Sequence, residues 1–469
     1  MLLRCTRPIT RTFRHLSQNS PNVLRTLANP IGRGEAKYAS LEEAIKFVKT
    51  GDVIFPSAST ATPSDLLREL CRQVDQGRIE HVQIINTLIE GGAPWDDPKY
   101  YGKVKSNTMF ITSSTRKLIQ SGHGDYTPIF LSEIAKLFST FRQHVDVAII
   151  TISPPDKHGN CTLGVAADCT VEATRAAKII IGEMTPSMPR TFGDTQIHIS
   201  QLDAVVKTDR PIYAQEPLEG STDENIAKIG KYIAENLVDD GATLQIGIGA
   251  IPDAACALLT HHKDLGVHTE LLSDGVIDLI ERNVVTNSRK TLDPGKIVTS
   301  FAYGTRKFYD YLDNNPLFLF RTAAYTNSPH IIMQHHKMTS INSCIEIDIT
   351  GQIVSDSIGT KYYSGFGGQV DFVYGSSAAL DGQGKAIIAL TSCTGKGDSK
   401  IVPYLKHGAG VVTTRGHAQY IVTEYGIANL WGKSVRQRAY ALIQIAHPKH
   451  REMLEKGAFE IMKCMPSKD

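Results

Sequence analysis

The sequence predicts an α/β protein of two domains with largely parallel sheets, on three observations. The chain has 469 residues, more than one compact core normally holds. Short apolar, β-branched runs alternate with amphipathic helix-like stretches from end to end, the pattern of βα units. A break at 208–223 carries Pro211, Pro217, Gly220 and Ser221, the composition of a linker. The domains are therefore expected at 35–215 and 216–469.

In the first half, strands are expected at 52–56, 81–88, 108–112, 145–153 and 178–182, with helices at 64–72 and 132–137. In the second half, strands are expected at 243–248, 267–272, 297–302, 386–391 and 410–414. Helices there are expected at 224–237, 253–259 and 435–446. Residues 338–357 have a different texture and read as antiparallel strands turned at Gly351. The apolar run at 145–152 is short and carries Asp146, which suits a buried strand and not a bilayer span. No membrane association is predicted.

A hydrophobic fraction of 41% and a charged fraction of 21% are ordinary for a globular protein. The net charge is +2, but Arg4, Arg7, Arg11, Arg14, Arg25 and Arg33 all precede the first acid, Glu35. Subtracting these six leaves the remaining body near −4, so a basic nucleic-acid surface is not expected. The same segment is rich in Ser, Thr and Leu, the composition of a mitochondrial transit peptide. Residues 1–34 are accordingly expected to be targeting sequence and disordered lead-in, and the location to be the mitochondrial matrix. The eight cysteines include no Cys-x-x-Cys pair, which indicates neither a disulfide framework nor a zinc site. A homodimer is the generic expectation.

Several familiar signatures are absent. No Gly-x-Ser-x-Gly elbow occurs, and the run from Gly426 to Ser434 has five residues between its glycines where a phosphate loop needs four. The doublets His261-His262 and His335-His336 are expected at solvated element ends. More informative is Gly247-Ile248-Gly249-Ala250-Ile251-Pro252. It joins an expected strand to an expected helix beginning near Asp253, where free backbone N–H groups bind anions. Gly365-Phe366-Gly367-Gly368-Gln369 is a second glycine-dense loop that lets the backbone approach a ligand. On glycine content alone, a structural turn fits either segment as well. Glu270 lies where an apolar strand empties into a loop. There a carboxylate would be partly dehydrated and could act as a nucleophile. On periodicity alone, a solvent-facing edge residue fits Glu270 better.

Taken in order, these segments resemble the acetyl-CoA hydrolase/transferase family. The resemblance extends to Thr62-Pro63, 124–133, 153–159, 340–343, 356–359, 364–372, 423–434 and 445–448, nearly the whole chain after the lead-in. It implies two domains of the CoA-transferase type with the active site between them. It assigns the catalytic glutamate to Glu270, in His268-Thr269-Glu270-Leu271. It assigns coenzyme A contacts to Gly247, Ile248, Gly249, Ala250 and Ile251, to Asn342, and to Gly365, Gly367 and Gly368. It implies no metal and no permanently bound cofactor, with a coenzyme A thioester as substrate and short-chain carboxylates as partners.

The chemistry suits these residue types. A carboxylate can attack a thioester carbonyl, giving an anhydride and a thiolate, and the thiolate can then form a glutamyl-CoA thioester. Backbone donors at residues 247–251 would stabilise the developing oxyanion, each worth about 3–4 kcal/mol in comparable sites. The favoured reading is transfer between acetyl-CoA and succinate. A hydrolase using the same site is the alternative, and an inactive CoA-binding protein is an alternative of another class.

Overall fold

The computed structural model describes residues 23–32, 37–216, 223–247 and 249–469. In the first half the chain forms strands β1 (Val53–Pro56), β2 (Val82–Asn86), β3 (Val104–Thr108), β4 (Gly124–Tyr126), β5 (Val147–Ile152), β6 (Ile179–Met184), β7 (Phe192–Gly193) and β8 (Ala204–Lys207). Seven of them make one sheet in the order β8-β6-β5-β1-β2-β3-β4, and every pairing in it is parallel. The six residues of β5 are all buried, which explains its unbroken apolar run: a central parallel strand is covered on both faces.

The second half contributes β9 (Thr243–Ile246), β10 (Gly266–Leu272), β11 (Ile297–Ala302), β12 (Phe318–Phe320), β13 (Thr339–Ser343), β14 (Lys385–Ala389), β15 (Tyr420–Thr423) and β16 (Gly426–Asn429). These form a second sheet in the order β16-β15-β14-β13-β9-β10-β11-β12-β7, antiparallel only at β15–β16. Its last strand, β7, comes from the first half and pairs Phe192 with Leu319. The halves interlock again where Ala302 N–H donates to Val165 O and Ala167 N–H donates to Ser300 O, both at 2.9 Å. One continuous apolar core accordingly contains Phe55, Ile150 and Ala166 from the first half beside Ile246, Ala302 and Phe320 from the second. A separate cluster covers the other face of the first sheet.

Some expected elements move. The strand expected at 108–112 forms at Val104–Thr108, because the Thr108 hydroxyl donates to Phe110 O at 2.7 Å and turns the chain out of the sheet. Residues 410–414 make no strand, only a bridge between Thr413 and Ile353. Within 338–357, Thr339–Ser343 joins the parallel sheet as β13. The antiparallel pair is Glu346–Asp348 with Ile353–Val354, turned at Gly351 with φ of +98°. The helix Thr170–Ala176 escaped the sequence pattern because it shows no polar stripe: its first five residues are all buried.

Part of the expected lead-in is packed. Leu27 is buried, Arg25 N–H donates to Arg175 O at 3.0 Å and His198 N–H donates to Leu27 O at 2.8 Å. Packing onto the body is therefore in place by Arg25, upstream of the expected start at 35. Residues 1–22 and 33–36, with most of the expected targeting segment, lie outside the described residues, as do residues 217–222 of the expected linker. Among the described residues, no helix is long and apolar enough to cross a membrane.

Candidate active site

Strands β13, β9 and β10 are adjacent and parallel at the centre of the second sheet. Their carboxyl ends open at one edge, where α/β sheets bind ligands. Thr269 aligns two of them: its hydroxyl donates to Ile246 O at 3.1 Å and accepts from Ile246 N–H at 3.2 Å. The next positions in line, Gly247 and Glu270, therefore stand side by side where β9 ends, while β10 continues to Leu272. Asn342 on β13 joins them by exchanging amide hydrogen bonds with Gln245 at 2.9 and 3.3 Å. Gly247 N–H donates to Ile341 O at 3.0 Å, so that donor is already engaged. A side chain at 247 would press its Cβ to 3.0 Å from the same oxygen.

The turn continues into the helix Ala250–Ala257, capped by Gly249 at φ +119°, a conformation that L side chains rarely adopt. The helix begins three residues earlier than expected, taking Pro252 into its first turn, where proline is tolerated. Gly249 and Ile251 are half-buried and Ala250 is exposed, so this helix N-terminus opens to solvent beside Glu270. Ile248 lies outside the described residues.

The second glycine loop closes over the carboxylate. Gly367 O accepts from Leu131 N–H at 3.1 Å, and Asp371 accepts from the Ser132 hydroxyl at 2.7 Å and from Ser132 N–H at 3.2 Å. Second-half groups thus cap the N-terminus of the first-half helix Leu131–Ser139, whose leading N–H groups have no partners within the helix. Phe366 packs on Phe130 with ring centroids 5.5 Å apart. A Cβ at 365 would sit 3.0 Å from the Phe110 ring. At 368 a Cβ would collide with Oε2 of Glu270 and Nδ2 of Asn327. Only glycine permits this approach.

Glu270 occupies the one half-buried position of β10; the other six positions are buried. Its backbone carbonyl accepts from the hydroxyls of Thr299 at 3.1 Å and Ser300 at 2.9 Å. Its Oε2 accepts from Asn327 Nδ2 at 2.8 Å, and the Gly368 N–H also bonds the carboxylate. Burial pushes the carboxyl up to about 7. The Asn327 bond opposes this, and the nearby carboxylates of Asp371 and Asp168 reinforce it. Asp371 is likewise raised to about 7 by burial, against its bonds to Ser132. Glu270 is therefore a poorly hydrated carboxyl group poised near neutrality, a setting common at functional sites.

The structure brings Glu270, Gly247, Gly249, Asn342, Gly365, Gly367 and Gly368 to one seam between the halves. Sequence reasoning missed Asn327, which is fully buried on a short turn with no motif around it. Asp371 and Ser132 lay inside quoted family segments but carried no local signal. His335 corrects an expectation: it is 1% exposed, not at a solvated end, because it packs 4.4 Å from the ring of His268 beneath the site. Among the described residues, every cysteine is free and no His, Cys, Asp or Glu group is arranged to hold a metal.

Residues 33–215 match the acetyl-CoA hydrolase/transferase N-terminal domain and residues 304–458 the C-terminal domain of the same family. The segment between those matches holds Glu270 and the 247–251 turn. A succinyl-CoA:acetate/propanoyl-CoA:succinate CoA transferase of Fasciola hepatica is 52% identical over 91% of this chain and 88% of its own length. A 4-hydroxybutyrate coenzyme A transferase of Clostridium kluyveri is 42% identical over 89% of this chain and 96% of its own. The crystal structure of 4-hydroxybutyrate CoA-transferase from Porphyromonas gingivalis superposes with a TM-score of 0.76 at 35% identity, covering 91% of this chain and 97% of that one. With its two interlocked α/β halves and a carboxylate at their seam, the chain belongs to the acetyl-CoA hydrolase/transferase family and is a CoA transferase.

Proposed function

We propose that the protein moves coenzyme A between acetyl-CoA and a small carboxylate, succinate first, in both directions and through covalent intermediates on Glu270. The observation that carries this reading is the setting of that carboxyl group. It is raised toward neutrality by burial, held by Asn327 and roofed by Gly368 at the mouth between the halves. The acid pair is supported by the printed substrates of the Fasciola relative.

An ionised oxygen of Glu270 attacks the thioester carbonyl; the carbon–sulfur bond breaks and coenzyme A leaves as the thiolate. The thiolate then attacks the glutamyl carbonyl of the mixed anhydride, releasing acetate and leaving a glutamyl-CoA thioester. Succinate reverses both steps. Thioester energy is kept throughout, so no net proton and no nucleoside triphosphate enters the balance. Backbone donors around Gly249, Ala250 and Ile251 would meet the developing oxyanion. Gly365, Gly367, Gly368 and Asn342 would border the pantetheine arm, whose binding aligns the thioester with Glu270.

Incubation with acetyl-CoA, borohydride reduction and peptide mass mapping tests the assignment. Modification is expected at Glu270, and labelling of another nucleophile with Glu270 untouched would overturn it. Transfer is favoured over hydrolysis because water at the thioester would discard the conserved energy. Coenzyme A release should accordingly depend on added succinate. The Arg-, Ser- and Leu-rich leader supports a mitochondrial address, and the packing of Arg25 and Leu27 supports cleavage upstream of Arg25. Import of the full chain into isolated mitochondria, followed by N-terminal sequencing of the product, checks that placement.

A further inference from the structure

Beneath Glu270 lies a group of buried titratable side chains that the proposed mechanism does not use. His268, two residues earlier on the same strand face, is fully buried. Its Nε2 lies 2.8 Å from Thr326 O. A carbonyl oxygen only accepts, so Nε2 carries the proton. The ring is neutral, because burial, followed by the nearby His335 and Lys290, holds its pKa well below the usual value. With Nε2 protonated, Nδ1 is an acceptor, and among the described residues no donor reaches it. His335 faces it at a centroid distance of 4.4 Å, and neither of its ring nitrogens has a partner among the described residues. Lys290 closes the cluster from below, its Nζ donating to Val267 O at 3.0 Å and Lys296 O at 2.7 Å, with burial lowering its pKa to about 7.

Thr326 ends the short helix Ala323–Thr326, and the next residue is Asn327. A hydrogen bond on the Thr326 carbonyl therefore acts on the peptide unit that Thr326 shares with Asn327. Asn327 in turn donates to Oε2 of Glu270 at 2.8 Å. The route from strand to turn and back to strand is a closed loop: β10 supplies both the histidine that fixes the turn and the carboxylate that the turn holds.

We propose that His268 is a positioning residue for the nucleophile: its Nε2–H fixes the Thr326 carbonyl, and the turn so fixed presents Asn327 to Oε2 of Glu270. The inference rests on Glu270 as the nucleophile and adds how its rotamer is set. His268 touches neither substrate nor the reacting oxygen; it acts through Asn327.

The test compares His268→Gln, whose amide nitrogen falls near the Nε2 position, with His268→Asn, whose amide cannot reach Thr326 O. His268→Gln is expected to keep kcat within about threefold, while His268→Asn loses about 10- to 100-fold in kcat with KM for acetyl-CoA little changed. In an Asn327→Ala background, His268→Asn should add no further loss, since its route to Glu270 is already cut. Equal losses in the Gln and Asn variants, or additive losses in the double variant, would overturn the proposal. Should His268→Asn lack a cooperative unfolding transition, ¹⁵N-histidine spectra of the intact wild-type protein decide. They should show one neutral Nε2–H ring, identified by its absence in His268→Gln; an Nδ1–H ring or an imidazolium there would sink the idea. Wild-type trapping with acetyl-CoA separates the two readings. An unlabelled Glu270 removes the nucleophile assignment, whereas a labelled Glu270 with an unimpaired His268→Asn removes only this one.

Discussion

Asn327 donates its amide N–H to Oε2 of Glu270 at 2.8 Å, across 57 residues of sequence. The same nitrogen stands 3.5 Å from Oδ2 of Asp371, so one neutral donor serves two buried carboxyl groups. Each group is raised to about 7. Without that donor, both would be harder to ionise, and Glu270 would lose the bond that aims it.

Removing the donor should therefore change both rate and pH dependence. Glu270 attacks as the anion, so kcat/KM should rise with pH through about 7 in the wild type. Because the Asn327 bond lowers the Glu270 pKa, Asn327→Ala should move that acid limb to higher pH and lower kcat about 100-fold. Steady-state pH profiles of the two proteins check this. An unchanged limb would show that Asn327 does not tune the carboxyl group. The limb reports the Glu270–Asp371 pair together, since the two share a donor.

Gly368→Ala places a methyl group against Glu270 and Asn327. Transfer should fall about 100-fold through displacement of the nucleophile, while the melting temperature stays close to wild type. Gly395→Ala is the control, because a Cβ there meets nothing within 4 Å. Activity and thermal melts of both variants separate a local collision from a general glycine effect.

Glu270 carries a stability cost. Its folded value of about 7 lies above the ordinary 4.5, so stability is fully present below about 4.5 and is lost as pH rises through 7. Glu270→Gln should remove that loss. The variant should match the wild type near pH 4.5 and exceed it by about 1–3 kcal/mol near pH 8, in urea titrations at both values. A constant difference across that window would refute the raised carboxyl group.

Glu183 is fully buried and pairs with Arg210, whose side chain is 16% exposed. The other oxygen of Glu183 accepts from Asp65 and Leu66 N–H at 3.1 and 3.0 Å, capping the helix Ser64–Asp75. Arg210→Met should cost about 3–5 kcal/mol by stranding that charge. Adding Glu183→Gln should restore part of it. Denaturant midpoints of the single and double variants measure the recovery.

The sequence by itself determined the features that depend on neighbours in the chain. Alternation of apolar strands with amphipathic helices, the glycine turn after β9 and the apolar strand that carries Glu270 follow from local periodicity and backbone freedom. The resemblance of ordered segments located the family, which the matches across both halves bear out. Tertiary structure decided what surrounds the carboxylate. The strand β7 that crosses into the second sheet, the burial of His335 and the Asn327 side chain had no periodic or motif signal, and Asp371, inside a family segment, had no local one. Asp371 meets Ser132 across 239 residues. Such contacts arise only when two sheets and their loops close on a shared core, where burial turns ordinary side chains into strongly interacting ones. Glu270 could be named from the chain, but the environment that would make it reactive is assembled by the fold.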